Sequence, residues 1–73
     1  MAETIMLGLR LIQGIERAGF TRRFGQDPAA AFPRSIQRYA DLGMLILTSS
    51  HIRLAKEAFF VADTVLADIL AEA

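Results

Sequence analysis

The 73-residue chain is 53% apolar, has no net charge and contains no cysteine, so it forms one small domain without disulfides, thiolate metal sites or cysteine nucleophiles. The balanced charge argues against strong binding to nucleic acid. No apolar run approaches the roughly 20 residues that span a bilayer. A mean hydropathy of +0.36 is high for so short a chain, which indicates a dense core or an apolar surface that faces a partner. Because Glu3 and Arg10 interrupt the N-terminal apolar stretch, it is not a signal peptide, and we predict a cytoplasmic protein.

The first predicted helix covers about residues 3–13 and is apolar on two nearly opposite sides. One stripe consists of Ile5, Leu9 and Ile12, and the other consists of Leu7 and Leu11. A surface helix of a small domain needs only one apolar stripe, so one of the two is expected to face outward. The sequence does not decide which, and we choose Leu7 and Leu11 because the other stripe is longer. Gly8 is expected to permit a close approach of another segment, and Gly14 to stop the helix.

The next segment is predicted to be a connector with two short helical pieces. Thr21 is a suitable N-cap for a turn at about 21–25, and Asp27 followed by Pro28 is typical of a second helix start. Because Pro33 would clash inside a continuous helix, we expect a separate turn at 28–32, with one kinked helix as the alternative.

Residues 33–54 then predict a helix at 33–42, a glycine, and a hairpin with strands at 44–47 and 51–54. One side of the helix is apolar, with Phe32, Ile36, Tyr39, Ala40 and Leu42. Gly43 is placed where a left-handed residue ends a helix without a Cβ penalty. This order is typical of a winged helix-turn-helix. The fold prediction is therefore a mostly helical α+β domain of winged-helix type, with three or four helices and a two-stranded hairpin as the wing.

The last predicted helix covers residues 55–71 and has one apolar stripe. Its members are Ala58, Phe59, Ala62, Val65, Leu66, Ile69 and Leu70. Phe60 and Val61 lie instead among the polar residues of the opposite face, where a lone domain of this size would not bury them.

With these segments laid out, a family resemblance can be stated. The sequences that carry it are ETIMLGLRLIQGI at Glu3–Ile15, RRFG at Arg22–Gly25, ADLGMLIL, HIRL, and FFVADTVLADIL near the C-terminus. The chain resembles the C-terminal domain of oxygen-independent coproporphyrinogen III oxidase-like proteins, which include the radical-SAM heme chaperones. The stretch Met6–Leu11 together with Gly14 is its most specific part. One departure is Ala55, where the family usually has a threonine that caps the last helix, so its first turn is expected to fray.

The resemblance implies a parent protein in which a radical-SAM barrel precedes this domain. That barrel would carry three cysteines, a 4Fe-4S cluster and S-adenosylmethionine, and heme in the chaperones; this chain holds none of these ligands, so no catalytic, cofactor or metal residue is assigned to it. Residues 1–73 are then expected to be a non-catalytic accessory domain excised from a longer chain. This domain is expected to pack on the barrel and to contact a tetrapyrrole or a recipient protein.

Two sets of site residues follow. The expected interface with the barrel consists of Leu7, Arg10, Leu11, Phe60 and Val61. The competing function is a DNA-binding winged helix, in which Arg34, Gln37 and Arg38 would face the bases. A net charge of +3 for residues 1–38 and −3 for 39–73 makes a solvated helix face the simpler interpretation. His51, the single histidine, is expected to be a solvated residue at the hairpin turn.

Overall fold

The computed structural model describes residues 1–72 and is a mostly helical α+β domain with a three-stranded antiparallel sheet. The helices are α1 (Ala2–Leu9), α2 (Arg17–Phe24), α3 (Pro28–Ala31), α4 (Pro33–Asp41), a 3-10 helix (Lys56–Val61) and α5 (Ala62–Glu72). The strands are β1 (Ile15–Glu16), β2 (Leu45–Leu47) and β3 (His51–Leu54), and their order in the sheet is β1-β3-β2.

Helix α1 ends at Leu9, four residues before the predicted end. The Leu11 N–H donates to the Gly8 carbonyl at 3.1 Å and the Gly14 N–H donates to the Leu11 carbonyl at 3.0 Å, so two tight turns replace the last helical turn. Gly8 has the predicted close approach, because a Cβ there would lie 2.5 Å from the Ile15 side chain. The turns bring the chain back toward the sheet.

The sheet has a third strand where the sequence predicted a two-stranded hairpin. Strand β1 pairs with β3 through Ile15 opposite Ile52 and Glu16 opposite His51, and the Arg17 N–H continues the ladder with a 2.8 Å bond to the Ser50 carbonyl. Two residues are too few to give an alternating pattern, so no periodicity signals this strand.

Helix α2 begins at Arg17, earlier than predicted. Thr21 therefore lies inside the helix, where its hydroxyl donates to the Arg17 carbonyl at 2.9 Å, and the N-cap prediction for Thr21 is wrong. Helix α2 ends at Gly25, where φ is 78°, in agreement with the predicted end of the turn at about 21–25. The prediction of separate helices at 28–32 and from Pro33 is also confirmed, and Asp27 caps α3 by accepting from the Ala29 N–H.

The central helix–glycine–hairpin unit forms as predicted. Gly43 has φ at 76°, and β2 pairs with β3 with Leu45 opposite Leu54 and Leu47 opposite Ile52. Leu42 is 60% exposed, contrary to its predicted place on the apolar face. The helical spacing places Leu42 at the edge of the apolar side, and as the C-cap of α4 it keeps the helical bond from its N–H to the Arg38 carbonyl, at 3.1 Å.

The C-terminal segment is two helices where one was predicted. Ala55 precedes the 3-10 helix, and having no side-chain oxygen it cannot cap a helix. The Ala58 N–H instead donates to the Ala55 carbonyl at 2.9 Å, which is the spacing of a 3-10 turn. This winding leaves Phe59 36% exposed, and Leu70 of α5 is 53% exposed; both had been placed in the buried stripe.

One apolar core joins the helices to the inner face of the sheet. Its large, fully buried side chains include Ile5, Leu9, Phe32, Ile36, Ile52, Leu54, Val65, Leu66 and Ile69. Helix α5 is further fixed to α4 by polar contacts: Glu72 accepts from the Arg34 and Ser35 N–H groups at 2.9 and 2.8 Å, and the Tyr39 hydroxyl donates to Asp68.

Candidate interaction surface

Three of the side chains assigned to an interface lie on the outside of the domain. Leu7 is 70% exposed, Leu11 is 61% exposed and Phe60 is 87% exposed. Both leucines face outward as expected, Leu7 from α1 and Leu11 from the turn that follows it. Val61 differs, because it is half-buried and packs against the core. We refer to Leu7, Leu11 and Phe60 as the apolar surface.

Arg10 lies beside the apolar surface and connects the end of α1 to the start of α5. Its guanidinium is 3.8 Å from a carboxylate oxygen of Asp63, and both side chains are largely exposed. Such a pair contributes little to stability, and Arg10 can turn to another carboxylate. The contact shows that the end of α1 and the residues just after Phe60 are neighbours in space.

A second feature of this region, missed by the sequence reading, is an apolar groove. It has a volume of ≈ 590 Å³ and is lined by Ile12, Arg53, Leu54, Lys56 and Phe59. We refer to these five residues as the basic-rimmed groove. Ile12 had been predicted to point inward with Ile5 and Leu9, yet it is 83% exposed, because α1 ends before it and the helical spacing no longer applies.

Gly14 determines the shape of this groove. The loop between α1 and β1 crosses β3 so closely that a Cβ on Gly14 would lie 2.7 Å from the Arg53 Cα and 2.6 Å from its Cβ. Only a residue without a side chain fits there, and its φ of 75° also favours glycine. This approach places Ile12 next to Arg53, and the glycine in the sequence was the available sign of it.

The residues of the DNA-binding alternative lie on the exposed side of α4. The Gln37 amide donates to Asp41 at 2.8 Å, and the Arg38 guanidinium lies 5.8 Å from the centre of the Tyr39 ring. Arg34 and Arg38 share a surface depression with Asp68 and Glu72, whose carboxylates oppose the approach of a phosphate backbone. DNA binding stays a prediction, and no feature of this face favours it.

The shifted pKa values belong to structural contacts. The side-chain hydrogen bond from Arg17, at 2.8 Å, lowers the pKa of Asp27 and in turn raises the pKa of Arg17. The hydrogen bond to Asp68 raises the pKa of Tyr39. Burial alone would raise the pKa of Glu72, but the N–H donors of Ser35 and Arg34 outweigh it and the net pKa is lowered. These hydrogen bonds join neighbouring helices to one another.

The chain offers poor ligands for a metal or an iron–sulfur cluster. It has no cysteine, and residues 1–72 contain no group of three or more His, Asp or Glu side chains arranged to hold an ion. His51 is half-buried, and its Nδ1 lies 2.9 Å from the Ser50 hydroxyl. The donor set therefore does not fit a cluster, and we assign no cofactor chemistry to these residues. None of the helices in this part of the chain has the length and apolarity to cross a membrane.

A comparison with protein families matches the model described as the HemN C-terminal domain, over residues 1–61. The chain belongs to the HemN C-terminal domain family. The match covers α1 through the 3-10 helix, and so includes the apolar surface and the basic-rimmed groove of this HemN C-terminal domain. Neither the curated proteins nor the solved structures gave a match.

Proposed function

We propose that this chain is the non-catalytic accessory domain of a cytoplasmic, oxygen-independent coproporphyrinogen III oxidase-like protein, and that it packs on the radical-SAM barrel of its parent. The observation that carries the proposal is the exposure of Leu7, Leu11 and Phe60 in a HemN C-terminal domain. Fully burying each such side chain contributes about 1.5–3 kcal/mol, so the three together are enough to anchor a lasting contact between domains.

Arg10 and Val61 complete the proposed interface. Arg10, held only by an exposed pair with Asp63, is placed to exchange that partner for a carboxylate of the barrel. Val61 would support Phe60 from below, since it is half-buried against the core. In a typical contact between domains, large apolar side chains supply affinity and charged residues at the rim supply orientation. The proposed interface has the same arrangement.

The chemistry of the parent would belong to the barrel. The 4Fe-4S cluster and S-adenosylmethionine would be held there, since this chain has no cysteine to ligate iron. The domain would close part of the barrel mouth, where it could contact a tetrapyrrole or a protein that receives heme. We further infer a winged-helix type of fold, which the order α4, Gly43, β2, β3 supports.

The test is a binding measurement between this chain and a radical-SAM barrel of the same family that has been purified without its own C-terminal domain. We expect calorimetry to detect a complex. The double variant Leu11→Ser/Phe60→Ser should weaken it at least about tenfold, since two buried apolar side chains are lost.

The matched control is Leu42→Ser, which removes an equally exposed leucine at the end of α4, at 60% exposure. It should leave the affinity unchanged. Equal weakening by Leu42→Ser, or no effect of the double variant on a complex that does form, would place the contact elsewhere on the domain.

A further inference from the structure

We propose that the basic-rimmed groove is a binding site for an amphiphilic carboxylate, a small molecule with an apolar body and a carboxylate head. The groove borders the proposed contact with the barrel, since Ile12 follows Leu11 and Phe59 precedes Phe60. The two share no residue, so variants can test them separately. It goes beyond the accessory role and does not depend on it.

The walls and floor of the groove suit an apolar body. Ile12, which is 83% exposed, and Phe59, which is 36% exposed, supply apolar surface to the groove, and buried Leu54 also lines it. Small-molecule sites are mostly apolar with a few polar groups that fix orientation, and three apolar residues with two cations fit that description. An apolar ligand here would cover side chains that otherwise face water.

The charges at the rim select the head group. Within residues 1–72, neither Arg53 nor Lys56 forms an ion pair with a carboxylate, although both line the groove. Glu57 follows Lys56 in the sequence but does not line it. Two cations without an internal anion beside an apolar wall favour a carboxylate, which a guanidinium binds through two parallel hydrogen bonds.

The backbone holds one of these cations in place. The close approach of Gly14 to Arg53 fixes the start of that side chain, and β3 places Arg53 opposite Ile46 on the outer face of the sheet. Lys56 opens the 3-10 helix two residues after β3 ends. The cationic rim is therefore built on ordered segments, which reduces the entropy lost when a ligand binds.

The experiment is a titration of the 73-residue chain with decanoate below its micelle concentration, followed by amide NMR. We expect saturable shifts centred on Ile12, Arg53, Leu54, Lys56 and Phe59. Decylamine and 1-decanol have the same tail without the carboxylate, and each should bind at least about tenfold more weakly, as loss of a charged hydrogen bond predicts.

Variants assign the head group. Arg53→Gln/Lys56→Gln should weaken decanoate binding at least about tenfold, and exposed Lys56→Gln alone should weaken it by a smaller factor. Arg22→Gln/Arg23→Gln removes the same charge from α2 and should have no effect. Retention of the wild-type melting temperature is required of each variant that is compared.

Further variants assign the tail and separate this site from the barrel contact. Ile12→Ser should weaken binding, whereas Leu70→Ser, at 53% exposure on α5, and Leu11→Ser/Phe60→Ser should not. The proposal is overturned if decanoate does not bind, if its shifts centre on other residues, if decylamine binds equally well, or if the folded Arg53→Gln/Lys56→Gln variant binds as well as the wild type.

Discussion

Gly14 allows the loop after α1 to cross β3, and three other features depend on it. These are the pairing of β1 with β3, the outward position of Ile12 and the wall of the basic-rimmed groove. Gly43 has almost the same backbone conformation, with φ at 76° against 75°, but a Cβ on Gly43 would meet no atom within 4 Å. Substitution of Gly43 therefore tests backbone strain alone, whereas substitution of Gly14 tests backbone strain together with a steric clash.

Gly14→Ala should destabilise the domain far more than Gly43→Ala. The change at Gly43 should cost about 1 kcal/mol, from the left-handed φ alone, whereas the change at Gly14 adds overlap with the backbone of β3 and should cost about 3 kcal/mol or more. Urea denaturation of both variants measures the difference. Equal midpoints would mean that the loop crosses β3 at a greater distance.

At the scale of elements, α4 and α5 are joined by a carboxylate at a helix start. The start of α4 has no side-chain cap from Phe32, the residue before it, and Glu72 of α5 accepts from two of its free N–H groups. A negative charge is also favoured there by the helix dipole. Glu72 of α5 thus serves as an N-cap for α4, although it lies 38 residues from Arg34 in the chain.

This contact predicts acid-dependent stability. Because the pKa of Glu72 is lowered below its ordinary value of 4.5, its contribution is present above that pH and is lost as pH falls through the lower, folded-state pKa. Glu72→Gln should cost about 1 kcal/mol at pH 7 and show a smaller loss of stability on acidification than the wild type. Melting temperatures from pH 7 to 3 measure both effects.

The control for this prediction is Glu57→Gln, an exposed glutamate of the 3-10 helix whose carboxylate makes no hydrogen bond within residues 1–72. It should melt like the wild type throughout. Asp27 behaves in the same sense as Glu72, since its pKa is also lowered, so some acid dependence should remain in Glu72→Gln.

At the scale of the whole molecule, α5 completes the core although the family match ends at residue 61. Val65, Leu66 and Ile69 are at most 2% exposed, and each fully buried side chain contributes about 1.5–3 kcal/mol. Together these three approach the whole stability of a typical small domain, about 5–15 kcal/mol. The matched segment is therefore not expected to fold by itself.

A chain truncated after Val61 should show no cooperative thermal transition by circular dichroism. Leu70→Ser, which alters an exposed residue of α5, should melt like the intact chain. A sharp transition in the truncated chain would indicate that α1 to the 3-10 helix can close a core without α5.

The sequence by itself determined the features that depend on neighbouring residues. These include the helix from Pro33, the helix stop at Gly25, the left-handed Gly43, the Asp27 cap and the hairpin. Each rests on local sterics or on helical spacing, which act within a few residues. The family resemblance, now confirmed by the HemN C-terminal domain match, was also readable from local sequence.

Only the tertiary structure decided where regular spacing stops. Ile12 and Phe59 were assigned inward because the 100° spacing was extended past the end of α1 and through the 3-10 helix, yet both are exposed. Leu42 and Leu70, near the ends of α4 and α5, are exposed as well. Helix ends are set by distant contacts, such as Gly14 against β3 and Glu72 on α4. The groove arises from the same cause, since it joins a loop, a strand and a 3-10 helix that no local pattern brings together.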